Sequence, residues 1–151
     1  MIGELQNLDS IATAVTAAET GHLVLASLHA QDAVQCVSRI VDVFPADQQA
    51  QIRLQLSSTL AAVLAQELVP SLEQGGRALA TEFMIVNPAI RNLIRTGDYL
   101  QIHNSMISGR SCGMHTMQDS LDRLLERGVI SQQEVLNRIN NTRMIAAPAG
   151  V

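Results

Sequence analysis

The stretch Gly21-His22-Leu23-Val24-Leu25-Ala26-Ser27-Leu28-His29 sets an unbroken apolar run between two histidines. Its length, its leucine and valine, and its lack of polar alternation predict a strand buried on both faces. Upstream, Ile11, Ala14, Val15 and Ala18 recur at helical spacing. That predicts a helix over 9–20, capped by Asn7 or Asp9 and stopped by Gly21. Met1-Ile2-Gly3-Glu4 reads as the end of another apolar strand. Strand end, helix and strand make a crossover unit with parallel strands and a right-handed connection. The expected fold class is α/β.

This reading separates the two histidines. On an extended strand, residues 22 and 29 point to opposite faces and lie about 23 Å apart at about 3.3 Å per residue. His22 and His29 therefore share no metal and pass no proton directly. His29 falls just past the carboxyl end of its strand, and Glu4 falls at the carboxyl end of the preceding one. If the strands are parallel, both side chains emerge at the edge where open α/β sheets bind ligands. A carboxylate and an imidazole there can orient a water and contact a phosphate. His22 enters from the opposite edge, as a hydrogen-bonded residue at a helix–strand junction.

At 151 residues the chain is the size of one domain and can bury a core. Only Phe44, Phe83 and Tyr99 are aromatic, so that core is aliphatic. All ten basic residues are arginine. A phosphate-binding loop of the GxxxxGK[ST] type, which needs lysine, is therefore excluded from these residues. A net charge of -4 with scattered arginines argues against a nucleic-acid binder. No apolar stretch reaches the length of a membrane span, and nothing at the start resembles a signal peptide. Cys36 and Cys112 belong to no paired-cysteine motif, which fits a reducing cytoplasm better than a disulfide framework or a zinc site.

Further along, residues 32–44 are predicted as a helix, with Val34, Val37, Ile40 and Val41 on one side and Pro45 at its end. A long amphipathic helix is expected from Gln48 to about Leu64, carrying Ile52, Leu56, Leu60, Val63 and Leu64. Strands are expected over 67–72 and 77–85, joined at Gln74-Gly75-Gly76. Asn87-Pro88 starts a helix. Later segments start near Asp98, Met114 and Ser131, the last with a capping box reaching Glu134. Met106, Met114 and Met117 are read as core filling, and His103 and His115 as surface or packing residues.

The text IGELQNLDSIATAVTAAETGHLVLASLH resembles the Walker B and histidine-box region of secretion ATPases. NPAIRNLIRTGD resembles the AIRNL motif of the type IV pilus retraction ATPases, the PilT-type twitching motors of that superfamily. Ile40 to Pro45 and SGRSCGMHTMQDSLDRLLERGVIS are similar to further family segments, and the likeness runs in family order to about Ile139. It implies a truncated RecA-like P-loop ATPase sheet, from the end of the Walker B strand onward, in residues 1–86. A helical C-terminal region with the AIRNL motif follows over 87–139, and then a flexible tail over 140–151.

The implied parent is a homo-hexamer that hydrolyses ATP with Mg²⁺ at the cytoplasmic face of the inner membrane. It works with an inner-membrane pilus platform protein to disassemble the pilus. Glu4 takes the place of the Walker B glutamate that polarises the attacking water. His29, and less directly His22, take the place of the histidine box that senses the γ-phosphate. Ala89, Ile90, Arg91, Asn92 and Leu93 take the place of the surface that couples hydrolysis to retraction. From the residues alone this is a short helix that buries Ile90, Leu93 and Ile94 and leaves Arg91, Asn92 and Arg95 for another face.

Family members carry Arg-Asp where this chain has Gln6 and Asn7. The Walker A loop and the acidic box before it are outside this text. Phosphoryl transfer depends on positioning and on neutralising charge, so the chain alone is expected to be inactive, with an exposed apolar edge. The tetracysteine zinc motifs of extension and type II secretion ATPases are absent, in agreement with the retraction branch. Two further readings stand beside this one: a non-enzymatic interaction module, and a fragment of a related type II/IV secretion ATPase.

Overall fold

Local signals set most of the elements in the computed structural model, which describes residues 1–73 and 75–138. Asn7 caps α1 (Leu8–Glu19) in a capping box with Ser10. Gly21, at φ +91°, turns the chain so that the His22 amide donates to the Ala17 carbonyl. Asp32 caps α2 (Ala33–Asp42) by accepting from the Gln35 amide. After Pro45 comes α3 (Gln49–Thr59). Strands β1 (Ala62–Pro70) and β2 (Arg77–Ile85) pair antiparallel, from Ala62 opposite Ile85 to Pro70 opposite Arg77. Asn87 caps α4 (Pro88–Thr96), which has proline at its start and left-handed Gly97 at its end. Then follow α5 (Leu100–Ser108), a 3-10 turn over Arg110–Cys112 and α6 (Met117–Glu126). Residues 132–138 are again helical, and the Glu134 amide donates to the Ser131 hydroxyl.

Two apolar clusters hold these elements. The larger joins Ile11 and Val15 of α1, Val37 and Ile40 of α2, and Ile52 and Leu56 of α3 to Ile90 and Ile94 of α4, Ile102 of α5, Met106 and Met114. The smaller packs the inward face of the hairpin, Val69, Ala78 and Ala80, against Leu121, Ile130 and Val135, with Met117 beside them. The three methionines therefore fill core space. Arg138 reaches Glu67 on β1 at 2.6 Å and ties residues 132–138 to the hairpin.

The segment before α6 seals the free edge of β2. Phe83 and His115 exchange backbone hydrogen bonds, and the Thr81 amide donates to the Ser120 hydroxyl. The His115 ring packs near Phe83 and its Nε2 lies 2.9 Å from the Thr81 hydroxyl. His103 is exposed.

Three sequence expectations are corrected here. The helix expected to reach Leu64 ends at Thr59, where Leu60 turns extended with ψ 121°. Val63 and Leu64 belong to β1, because from Ala62 onward the chain gains a nine-residue ladder with β2 that an isolated helical turn lacks. For the same reason β1 occupies Ala62–Pro70 rather than 67–72.

The run after His22 is not a strand buried on both faces either. It makes one parallel bridge, Ile2 to Ala26, and Leu23 and Leu25 are 85% and 60% exposed. A doubly buried strand needs a partner on each edge and a layer on each face. Among the described residues this run has one short partner, residues 1–5. Leu64, Leu68 and Leu79 are also exposed, on the outward face of the hairpin. No described helix is long and apolar enough to cross a membrane. The expected tail over 140–151 lies outside the described residues.

Asp119 completes the capping box of α6 and pairs with Arg110 at 2.6 Å. Burial pushes its carboxyl up. Hydrogen bonds from Arg110 and from the Thr116 amide and hydroxyl, with the Arg110 charge, outweigh that and hold it at about 2. A carboxyl lowered in the folded state stabilises fully above its unfolded value, and the effect is lost as pH falls through the folded one. Urea titrations should therefore show native stability falling between about pH 4 and about pH 2, with Asp119→Asn flattening that slope. Equal acid slopes for the two proteins would contradict the assignment.

Candidate functional site

Residues 1–5 and 25–29 run side by side in the same direction. The Ile2 amide donates to the Leu25 carbonyl and the Leu5 amide to the Ser27 carbonyl, each at 2.8 Å. The Ser27 hydroxyl donates to the Gly3 carbonyl. This pairing brings Glu4 to His29, with Oε1 3.0 Å from Nε2. The other carboxylate oxygen of Glu4 accepts from the Gln6 amide at 2.7 Å. Arg39, on α2, donates to the His29 carbonyl and holds the loop from behind. The imidazole is largely exposed and the carboxylate half-buried. A carboxylate held by an amide on one side and an imidazole on the other can polarise a water at this rim.

His29 borders an open groove of about 1140 Å³ between residues 22–32 and the start of β1. Its walls are mostly apolar and include Val24, Leu28, Leu60 and Val63. Cys36 also lines it. Burial, with the nearby Asp32 charge, pushes that thiol up to about 11, so it stays protonated and unreactive near neutral pH. His22 sits apart. It is exposed, and its Nδ1 lies 3.1 Å from the Thr20 hydroxyl, at the helix–strand junction.

The AIRNL helix divides its labour. Ile90 is fully buried and Leu93 half-buried. Arg91 reaches across to α3 and donates to the carbonyls of Ser57 and Ser58 at 2.7 and 3.1 Å. These belong to the last turn of α3, whose carbonyls lack helical partners. Asn92 accepts from Arg95 at 2.6 Å. Ala89, Asn92 and Leu93 line a second open groove of about 650 Å³ facing Gln101, Asn104 and Ser105 of α5.

The sequence reading passed over Glu82. It is 4% exposed on the inward face of β2. Its Oε1 accepts from the Ala33 amide at 2.8 Å and its Oε2 from the Met117 amide at 3.1 Å. The signal was present in the period of two along β2. Glu82 alternates in step with Ala78, Ala80 and Met84, so it had to face the core. Among the described residues, no three His, Cys, Asp or Glu side chains converge as a metal site.

Residues 1–146 match the family described as Type II/IV secretion system protein. The "Twitching motility protein" of Neisseria gonorrhoeae is 40% identical over 146 residues, 97% of this chain and 39% of that protein. The "Type IV pilus retractation ATPase PilT" of Pseudomonas aeruginosa is 44% identical over 133 residues, 88% of this chain and 38% of that protein. A crystal structure of the pilus retraction motor PilT with bound ADP is similar at a TM-score of 0.80 and 41% identity, covering 89% of this chain and 37% of the other. The chain thus spans less than two fifths of the length of these proteins.

If Arg91 caps α3, Arg91→Ala should lower the unfolding free energy by about 1 kcal/mol. Asn92→Ala should stay within about 0.5 kcal/mol of native. Urea denaturation measures both, and an equal effect at the two positions would reject the capping role.

Proposed function

The chain belongs to the Type II/IV secretion system protein family, and from that premise we propose that it is the C-terminal part of a PilT-like type IV pilus retraction ATPase. The observation that carries this reading is the Glu4–His29 pair at 3.0 Å on one rim of co-directed strands. In the proposed enzyme the substrate is ATP. Glu4 polarises the attacking water and His29 contacts the γ-phosphate. Gln6 keeps the carboxylate aimed, and His22 supports the histidine box from the other end of its strand.

The open groove supports a truncated RecA-like sheet. It separates residues 22–32 from β1, and its apolar walls suit further strands of a longer chain. The phosphate cradle belongs to that missing part, since no residue here is lysine. Mg²⁺, when bound in such an enzyme, neutralises phosphate charge. It takes several oxygen ligands. Here Glu4 brings one carboxylate already engaged by His29 and Gln6, so these residues alone do not fit the metal.

The assembled motor is a homo-hexamer at the cytoplasmic face of the inner membrane, acting on a pilus platform protein. The AIRNL helix couples hydrolysis to retraction through its exposed Ala89 and Asn92, while Ile90, Arg91 and Leu93 hold it in place. The absence of lysine also favours a second reading, a non-catalytic interaction module of the same family.

Calorimetric titration of the 151-residue chain with ATP and Mg²⁺ should show binding weaker than about 1 mM, equivalent to about -4 kcal/mol. Micromolar affinity would refute the claim that the phosphate cradle lies outside these residues. In a longer protein that contains this segment, Glu4→Gln should lower hydrolysis by about 10²- to 10⁴-fold with nucleotide still bound. An unchanged rate would reject Glu4 as the water-activating group, and no hydrolysis by the native longer protein would favour the module.

A further inference from the structure

The Glu4–His29 rim and the helical C-terminal part meet at one buried side chain. Glu82 is the one acidic residue among the buried side chains of the described chain. Each of its carboxylate oxygens takes the first amide of a different helix: Ala33 opens α2 and Met117 opens α6. Those amides have no partner within their own helices, and a carboxylate is favoured at a helix start.

The α2 end of this bridge leads straight to the rim. Ala33 follows Asp32, the α2 cap, and residues 29–33 form the loop whose His29 carbonyl Arg39 holds. The α6 end is equally fixed. The residues either side of Glu82, Thr81 and Phe83, bond to Ser120 and His115 around the α6 start. The loop and α6 thus share one carboxylate.

We propose that Glu82 is a positioning residue that couples the His29 loop to α6, so that a displacement of the loop is carried to the start of α6. That the loop faces nucleotide rests on the proposed function; the coupling itself does not. In a working motor, a shift of His29 on phosphate would reach α6 through this carboxylate. Both ends are bonds to a charged acceptor, stronger than neutral ones.

The test is amide hydrogen exchange by NMR on the 151-residue chain without nucleotide. Glutamine keeps one accepting oxygen and replaces the other with a donor, so Glu82→Gln can serve only one of the two helices. Exchange at either Ala33 or Met117 should speed up about 10- to 100-fold, while the other stays protected. Arg39→Ala, which frees the His29 carbonyl, should shift the Met117 amide resonance in the native background and leave it unmoved when Glu82→Gln is also present. Both amides still protected in Glu82→Gln, or a Met117 shift that persists in the double variant, would overturn the proposal.

If Glu82→Gln does not fold, the native chain decides. Ala33 and Met117 should open as one unit, with protection factors within about 10-fold of each other, and a gap above about 100-fold would overturn the coupling. No nucleotide enters the measurement, so its failure leaves the ATPase reading standing, and failure of the ATPase reading leaves the coupling standing.

Discussion

A carboxylate inside a protein must find donors, and Glu82 finds them at the first amides of two helices. An unpaired buried charge costs several kcal/mol, so the position of this side chain constrains everything around it. β2 carries it inward, and α2 and α6 must begin where its two oxygens point. Once α2 begins there, Asp32 caps it, Arg39 reaches the His29 carbonyl, and Val37 and Ile40 enter the larger core. Once α6 begins there, Leu121 closes over the inward face of the hairpin. The small sheet of two strands is thereby locked to α2 and α6 by a charged acceptor, in addition to the Thr81–Ser120 and Glu67–Arg138 bonds.

The parts of this arrangement that depend on neighbours in sequence could be read from the text. Asn7, Asp32 and Asn87 announce helix starts because a capping side chain bonds to amides three residues on. β2 alternates cleanly and was placed at both ends. Glu4 and His29 could be brought together because strand direction alone decides which rim a side chain leaves from. What depends on distant residues was hidden. Val63 and Leu64 fit a helical stripe as well as a strand, and only the partner ladder on β2 decides between them. Leu23 to Leu28 carry the composition of a buried strand, but composition does not supply neighbours. The Arg91 bonds to Ser57 and Ser58 link α4 to α3 across the fold, and no local pattern predicts them. Glu82 lay between these cases: its inward face was legible, its two partners were not.

Gln6 and Asn7, where the family resemblance implies Arg-Asp, hold local structure. Gln6 holds one oxygen of Glu4, and Asn7 forms the capping box of α1. An arginine at position 6 would reach the same carboxylate with a full charge, so the change tempers the electrostatics of the rim without removing its orientation. The AIRNL helix shows a similar division. Its apolar residues and Arg91 secure the helix, while Ala89 and Asn92 are exposed along the second groove. In the proposed motor, the shared carboxylate links the His29 loop to α6 through the Ala33 and Met117 amides, and the AIRNL helix is tied separately to α3 through Arg91.

The central claim is that residues 1–5 and 25–29 run in the same direction and set Glu4 beside His29. Solution NMR of the isotope-labelled chain tests it most directly, through nuclear Overhauser contacts. The account predicts contacts from Ile2 to Leu25 and Ala26, from Leu5 to Ser27, and between the Glu4 side chain and the His29 ring. Contacts that place Glu4 beside His22, at the other end of the run, would contradict it.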